Sequence, residues 1–318
     1  MHVSTVTSAL TVDDTLTVDD TLTVDEAVTV DEAVTVDETL TADRALTVAA
    51  ELLRGRSWVA LTGAGISTDS GIPDYRGPTS VRATPMMYGE FVGSRSAQQR
   101  YWARSYLGWR RIGTAAPNLG HRALVQLERH GLVGVITQNV DGLHRRAGSR
   151  RVIELHGEIA AVVCLDCGAR SPRADVQRRL ALLNPDLGEA PVLEHAELRP
   201  DGDAVVEDWQ DFVLADCLGC GGRLKPDVVF FGEPVPKNRV ADCYSLVDQA
   251  EVLVAVGSSL TVMSGLRFVR AQRKAQRLVV IINRGATRGD ELADVKVNGG
   301  CSESLLSLLH AYDTNPAA

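Results

Sequence analysis

Three rhythms of apolar and polar residues run along the chain, and the first of them builds no packed element. Residues 11–52 are seven hexapeptides in register: TVDDTL, TVDDTL, TVDEAV, TVDEAV, TVDETL, TADRAL and TVAAEL. Their apolar residues fall at the second and sixth positions. A six-residue period rotates around a 3.6-residue helix, so no continuous apolar face forms. Read as a strand, one face carries a carboxylate in every triplet. Neither arrangement buries enough to offset the entropy of ordering, so residues 1–40 are expected to be disordered or only partly helical. The last two units differ. Leu46, Ala49, Leu52 and Leu53 share a helical face and Gly55 stops it, which predicts a first packed helix over 41–54.

From residue 58 the rhythm changes to short apolar runs separated by helical stretches. Trp58 to Thr62 suits a buried parallel strand. Gly63-Ala64-Gly65 follows, where glycine permits a tight turn and close approach of backbone N–H groups to a ligand, and Ser67 or Thr68 is placed to cap a short helix. Strand, glycine turn and helix start make a pyrophosphate site. Thr68 and Asp69 stand where the usual dinucleotide fingerprint has its third glycine, and a polar loop from Gly71 to Gly77 comes instead. Taken alone, the glycine turn reads equally as an ordinary strand–helix connection. Residues 95–112 predict a helix whose stripe of Tyr101, Trp102, Tyr106 and Trp109 reads as core. Asn118 caps the next helix, which runs through Leu124 and Leu127 to Gly131.

Five more strands follow, and each ends in polar or small residues. Leu132 to Thr137 runs into Gln138-Asn139-Val140-Asp141-Gly142-Leu143-His144. Residues 151–155 end at His156-Gly157. Glu251 to Val256 ends at Gly257-Ser258-Ser259-Leu260, and Leu278 to Ile282 at Asn283. A short strand, Asp294 to Val297, precedes Gly299-Gly300-Cys301 and a final helix. In open α/β sheets ligands bind beyond the carboxyl ends of the strands, where these residues fall. A lone histidine at a strand end is usually structural; His156 follows two other polar strand ends.

Residues 160–225 break this rhythm. They hold two C-x-x-C pairs, Cys164/Cys167 and Cys217/Cys220, around a polar insert. The doubled spacing reads as a zinc site rather than four unrelated buried thiols. Four thiolates close a tetrahedral shell, so the metal is structural, and it supplies the stability that a weakly apolar segment lacks. Val228 to Pro234 looks extended with an exposed edge. It suits either the addition of a peptide strand or a simple domain connection.

Composition adjusts this picture in two places. The net charge of −8 is set by residues 1–40, which carry ten acidic side chains and no Lys or Arg; the remainder holds 33 basic against 31 acidic residues. With no basic stripe, no specific nucleic-acid partner is expected. No apolar run approaches the ~20 residues of a membrane span, and the acidic, threonine-rich start suits neither a secretory signal nor a transit peptide. A cytoplasmic protein with no membrane partner is therefore expected.

GAGIS with GIPDYRG, TQNVDGLH, ELHG, the paired C-x-x-C, KPDVVFFGE and GSSL occur together in this order. This set resembles the sirtuins, NAD-dependent protein deacylases, over roughly residues 41–311. DYRG, YWARSYLGW and LKPDVVFFGE are most similar to the class II branch, which includes a mitochondrial sirtuin. The resemblance implies an α/β fold, a Rossmann-like parallel-sheet domain with an inserted small zinc-binding domain. The expected division is a tail at 1–40, a discontinuous NAD-binding domain at 41–157 and 226–318, and a zinc-binding module at 158–225. It implies NAD as co-substrate and one structural Zn²⁺ on Cys164, Cys167, Cys217 and Cys220. Gly63, Ala64, Gly65, Ile66, Asp74, Tyr75 and Arg76 match the cofactor loop. Gln138, Asn139, Val140 and Asp141 match the ribose and nicotinamide pocket. Gly257, Ser258, Ser259, Asn283 and Cys301 match contacts to phosphate, ribose and adenine. His156 matches the catalytic base, and Val229, Phe230 and Gly232 the strand that pairs with substrate. One departure stands out: many sirtuins have a proline shortly after GSSL, where this chain has Met263-Ser264-Gly265.

The implied reaction moves the acyl group of an acyl-lysine protein to ADP-ribose and releases nicotinamide. A neutral amide is a poor nucleophile, so the pocket must make nicotinamide a good leaving group. Asp141 and Asn139 suit its carboxamide, and an imidazole of pKa near ~6.5 suits a base acting on a ribose hydroxyl. A dehydrogenase is disfavoured, because an acidic residue ending the second strand is missing. A protein ADP-ribosyltransferase would share the cofactor residues, and an NAD-sensing scaffold would dispense with His156. The expected partner is an acylated-lysine protein and the expected state a monomer; acyl-chain length and protein target are not encoded in these motifs.

Overall fold

The computed structural model describes residues 41–75, 85–187 and 209–314, all within one compact unit. The hexapeptide tail at 1–40 and Arg76 of the expected cofactor loop lie outside the described residues. In chain order the elements are α1 (Ala42–Leu53), β1 (Trp58–Thr62), α2 (Tyr88–Gly93), α3 (Arg95–Ile112), α4 (Leu119–Leu127), β2 (Leu132–Thr137), α5 (Leu143–Ala147) and β3 (Val152–Glu154). There follow β4 (Gly157–Cys164), β5 (Arg170–Pro172), α6 (Arg173–Leu183), β6 (Leu224–Val228), α7 (Lys237–Asp248), β7 (Val252–Val256), α8 (Met263–Lys274), β8 (Leu278–Ile282), β9 (Val295–Val297) and α9 (Cys301–Thr314).

Six strands form one sheet in the order β3-β2-β1-β7-β8-β9, with every pair parallel. Their near-continuous apolar sequences follow from burial on both faces. One face is covered by α1, α4 and α9, through Ala49, Leu53, Leu124, Leu127, Leu305 and Leu308. The other is covered by α7 and α8, through Leu246, Val247, Leu266, Phe268 and Val269. The expected α/β parallel sheet is present, with the chain reversing direction across the sheet between β1 and its neighbours β2 and β7.

Register sets the function of this sheet. Thr62 pairs with both Thr137 and Val256, and Val256 with Ile282. The strands therefore end level, and Gly63, Gln138, Gly257 and Asn283 emerge side by side. The ladder continues one residue further: Gln138 N–H donates to the Thr62 carbonyl, Gly63 N–H to Val256 and Gly257 N–H to Ile282.

A second sheet, β5-β4-β6, is antiparallel. Its core joins Ile159, Val162, Val176, Leu180 and Leu224 to Phe91, Tyr101, Trp102 and Tyr106 of α2 and α3. The aromatic stripe is thus core, and it anchors on the small sheet. Arg173 is fully buried there, lying 4.8 Å from the Trp102 ring and 5.2 Å from the Trp109 ring. It donates to Ser105 Oγ and to the Ser105 carbonyl, and burial lowers its pKa to about 10. His156-Gly157 joins the two sheets. Gly157 has φ +84°, and a Cβ there would lie 2.0 Å from the Asp227 carbonyl oxygen, so only glycine makes this junction.

Candidate active site and cysteine cluster

The level strand ends form the floor of a cleft of ≈ 540 Å³. Its walls include the glycine turn after β1, the polar run after β2, the turn after β7 and residues 228–235, where the chain leaves the small sheet at the end of β6. Such a volume is in the range of small-molecule and cofactor sites.

Glycine is required where the two turns meet. A Cβ at Gly63 would lie 2.7 Å from the Gly257 carbonyl oxygen, one at Gly65 2.9 Å from Gly257 Cα, and one at Gly257 2.5 Å from Ile66 N. Gly65 N–H donates to the Gly257 carbonyl. The glycines therefore serve first to press one turn onto the other. The short helix after Gly63 is 3-10, spans Ala64–Ser70 and has no side-chain cap. The expected capping roles of Ser67 and Thr68 are corrected: Thr68 Oγ1 donates to the Gly65 carbonyl, and Ser67 turns inward to Asp141.

Ser67 is the residue whose role the sequence concealed. Its hydroxyl donates to Asp141 Oδ2 at 2.8 Å and accepts from Asn139 Nδ2 at 3.0 Å. Leu143 N–H donates to Asp141 Oδ1 at 2.9 Å, and Asn139 Nδ2 also reaches the Gly63 carbonyl. Burial pushes the Asp141 carboxyl upward, and the hydrogen bonds from Leu143 and Ser67 oppose it. Each carboxylate oxygen keeps a second lone pair, so the trio remains able to accept from an amide. Gln138 Nε2 donates to Ser258 Oγ at 2.7 Å, which ties the β2 end to the β7 end.

His156 stands at the mouth of this floor. Its Nδ1 lies 2.8 Å from the Gln138 carbonyl oxygen and its Nε2 2.8 Å from Ser264 Oγ. A carbonyl only accepts, so Nδ1 carries the proton and Nε2 the lone pair. Burial lowers the His156 pKa, with Arg239 and Arg267 adding to the effect and the Gln138 hydrogen bond opposing it. The ring is therefore neutral at pH 7 and able to act as a base. His144, its rival in sequence, is 1 % exposed, bonded through Nε2 to Thr62 Oγ1, and absent from the cleft lining.

Most of the expected cofactor residues share this cleft: Gly63, Ala64, Gly65, Asp74, Tyr75, Gln138, Asn139, Val140, Asp141, Gly257, Ser258, Ser259 and Asn283. Ile66 and Cys301 do not line it; both belong to the core beneath, and burial raises the Cys301 thiol to about 12. The set fits NAD: amides, hydroxyls and a carboxylate at level strand ends match ribose hydroxyls and a carboxamide. Cleft residues that were not among the expected site residues include Met86, Tyr101, Ser264 and Arg267.

The expected extended segment Val228 to Pro234 is shorter than its pattern. Strand β6 ends at Val228, and Gly232 takes φ +81° in a turn. Glu233 causes this. Its Oε2 accepts from Phe230 N–H at 2.9 Å and from Lys225 Nζ at 2.9 Å. Val229 N–H is spent on the His156 carbonyl. Val229, Phe230 and Gly232 all line the cleft.

The four paired cysteines meet away from the large sheet. Their sulfurs lie within 4.8 Å of one another, with Cys164–Cys220 at 3.6 Å and Cys167–Cys217 at 3.8 Å. A tetrahedron of ~2.3 Å Zn–S bonds has edges of ~3.8 Å, so the set fits one Zn²⁺ with no open position. The two knuckles repeat one turn: Gly168 N–H donates to the Cys164 carbonyl and Gly221 N–H to that of Cys217, with φ +74° and +72°. Asp166 joins the knuckles by accepting from Arg223 N–H and Nη2.

Comparison with known proteins agrees with this geometry. The Sir2 family model matches residues 63–264, and the chain belongs to that family. It is 54 % identical to NAD-dependent protein deacetylase 1 of Mycobacterium avium over 260 residues, 81 % of this chain and 92 % of the relative. It is 45 % identical to the mitochondrial NAD-dependent protein lipoamidase sirtuin-4 of Bos taurus, over 78 % of this chain and 80 % of the relative. A solved structure of a Sir2 protein with a p53 peptide and NAD+ superposes with a TM-score of 0.66 at 31 % identity, covering 85 % of this chain and 99 % of that one.

Proposed function

We propose that the protein is an NAD-dependent protein-lysine deacylase that moves the acyl group from lysine to ADP-ribose and releases nicotinamide. One observation carries this reading: a neutral imidazole, whose unprotonated Nε2 meets the Ser264 hydroxyl of the cleft wall, shares one cleft with a carboxylate–amide pair suited to a carboxamide. When bound, NAD supplies the electrophilic ribose carbon and the leaving nicotinamide. Asp141, Asn139 and Ser67 hold the carboxamide end. Gln138 and Ser258 bind ribose hydroxyls, and His156 takes a proton from one of them. The aromatic wall of Tyr101 and Phe230, which lie 4.9 Å apart, excludes water from an acyl chain.

The same reading assigns peptide pairing to Val229–Gly232 and division of the chain near 157 and 226, with α3 docked on the zinc module. It takes the class II branch from YWARSYLGW and the sirtuin-4 relative. It describes a monomer acting in the cytoplasm on acylated proteins; among the described residues no helix is long and apolar enough to cross a membrane. The test is incubation with NAD and a panel of acyl-lysine peptides, following nicotinamide and peptide mass together. Loss of acyl mass only when NAD is present is expected. A gain of ADP-ribose mass on the protein partner, with no acyl loss, would make it an ADP-ribosyltransferase instead.

A further inference from the structure

The imidazole nitrogen that serves as the base is already occupied. Nε2 of His156 has a single in-plane lone pair, and Ser264 Oγ lies on it at 2.8 Å. Ser264 is 7 % exposed and stands in the first turn of α8, on the cleft wall. The contact depends on the stretch Met263-Ser264-Gly265. Helix α8 starts at Met263 without a proline, so residue 264 is free to carry a hydroxyl. Gly265 beside it makes room for Gln138: a Cβ at 265 would lie 2.5 Å from Gln138 Oε1. Gln138 in turn fixes the other ring nitrogen through its carbonyl. Helix start, base and strand end are thus built against one another.

A substrate hydroxyl reaches Nε2 either by displacing Ser264 or through it. We infer that Ser264 relays the proton: it takes the proton of the substrate hydroxyl while passing its own to His156 Nε2. In this step the substrate O–H bond breaks, and a new O–H bond forms at Ser264. The old Ser264 O–H bond breaks, and an N–H bond forms on the ring. One proton moves in net from substrate to imidazole, and no electrons change hands. Ser264 is then a catalytic residue of this chain. This inference rests on the deacylase reading.

The two routes predict opposite results for Ser264→Ala. The relay predicts that deacylation falls about ten- to hundredfold, less than the ~10²–10⁴-fold that a general base itself contributes, because His156 remains in place. Nicotinamide exchange, which needs no ribose base, stays within about twofold, and Ser264→Thr recovers most of the lost rate. Displacement predicts an unchanged or faster Ser264→Ala enzyme, and that result overturns the relay. Equal loss of exchange and deacylation also overturns it, since Ser264 would then serve only the fold or the cofactor. If Ser264→Ala fails to fold, Ser264→Gly, which also removes the hydroxyl, must show the same split. A wild-type chain that neither exchanges nor deacylates removes the functional reading itself, a failure distinct from the other two.

Discussion

His156 and Gln138 lie just past the ends of adjacent parallel strands, and the Nδ1 of one lies 2.8 Å from the backbone carbonyl of the other. The contact fixes the tautomer without using a side chain. His156→Ala is expected to keep the fold and bind NAD but to lose deacylation by ~10²–10⁴-fold. Kinetics with His144→Ala alongside checks the assignment, because His144 is sealed behind β1. Near wild-type deacylation by His156→Ala would remove it as the base.

Burial lowers the His156 pKa, and Arg239 and Arg267 push the same way. With His156 as the proposed base the working form is the neutral ring, so activity is expected to persist above the lowered pKa and to be lost as pH falls through it. The acid limb of the kcat/KM profile, which reports the ligand-free enzyme, is expected below the ordinary histidine value of ~6.5. A limb at or above that value contradicts the burial argument.

Asp141 accepts from Ser67 and Leu143 and keeps two lone pairs for a carboxamide. Asp141→Asn removes the charge and turns one of its two acceptor oxygens into a donor, and nicotinamide exchange should fall ~10- to 100-fold, the worth of a hydrogen bond to a charged group. Ser67→Ala should lower it less. Exchange at the wild-type rate in Asp141→Asn would take this carboxylate out of the nicotinamide pocket.

The cysteine cluster predicts one zinc per chain. Structural zinc is worth ~10–16 kcal/mol in finger peptides, so chelation should unfold the small sheet. Because Phe91 and Tyr101 pack into that sheet, aromatic circular dichroism should report the loss. A Cys217→Ser variant with full zinc content and unchanged melting would contradict the closed site.

His121 and His144 pack with ring centroids 4.8 Å apart. Burial lowers His121 to about 4 and holds His144 well below its ordinary value. Both rings are protonated in the unfolded chain below pH ~6.5 but stay neutral in the folded one. Stability should therefore fall as pH drops below ~6.5, with His121 contributing to the loss until its folded value of about 4 is reached. Denaturant titrations of wild type and His121→Gln check this: the variant should lose less stability on acidification, and an equal slope would contradict it.

Much of this was legible in the sequence, and the reasons differ by element. Trp58–Thr62, Leu132–Thr137 and Leu278–Ile282 are apolar runs bounded by glycine or polar residues, and they match the observed strands. Helix Arg95–Ile112 likewise matches its pattern. Ser67 was hidden because its partner Asp141 is 74 residues away, and local propensity offered capping as its role. Glu233 was hidden similarly: an apolar VVFF run reads as extended, while the carboxylate that folds it back lies beyond the run. Ser264 was visible only as a departure from a pattern, since nothing in spacing shows that α8 begins beside His156.

The central claim is that one cleft couples nicotinamide release to acyl removal. The direct measurement is the ratio of nicotinamide released to lysine freed, using NAD and a single acyl-lysine peptide. A ratio of about one, with no lysine freed when NAD is omitted, is the predicted result. Lysine freed without NAD, or nicotinamide released with the acyl group still on the peptide, would contradict it.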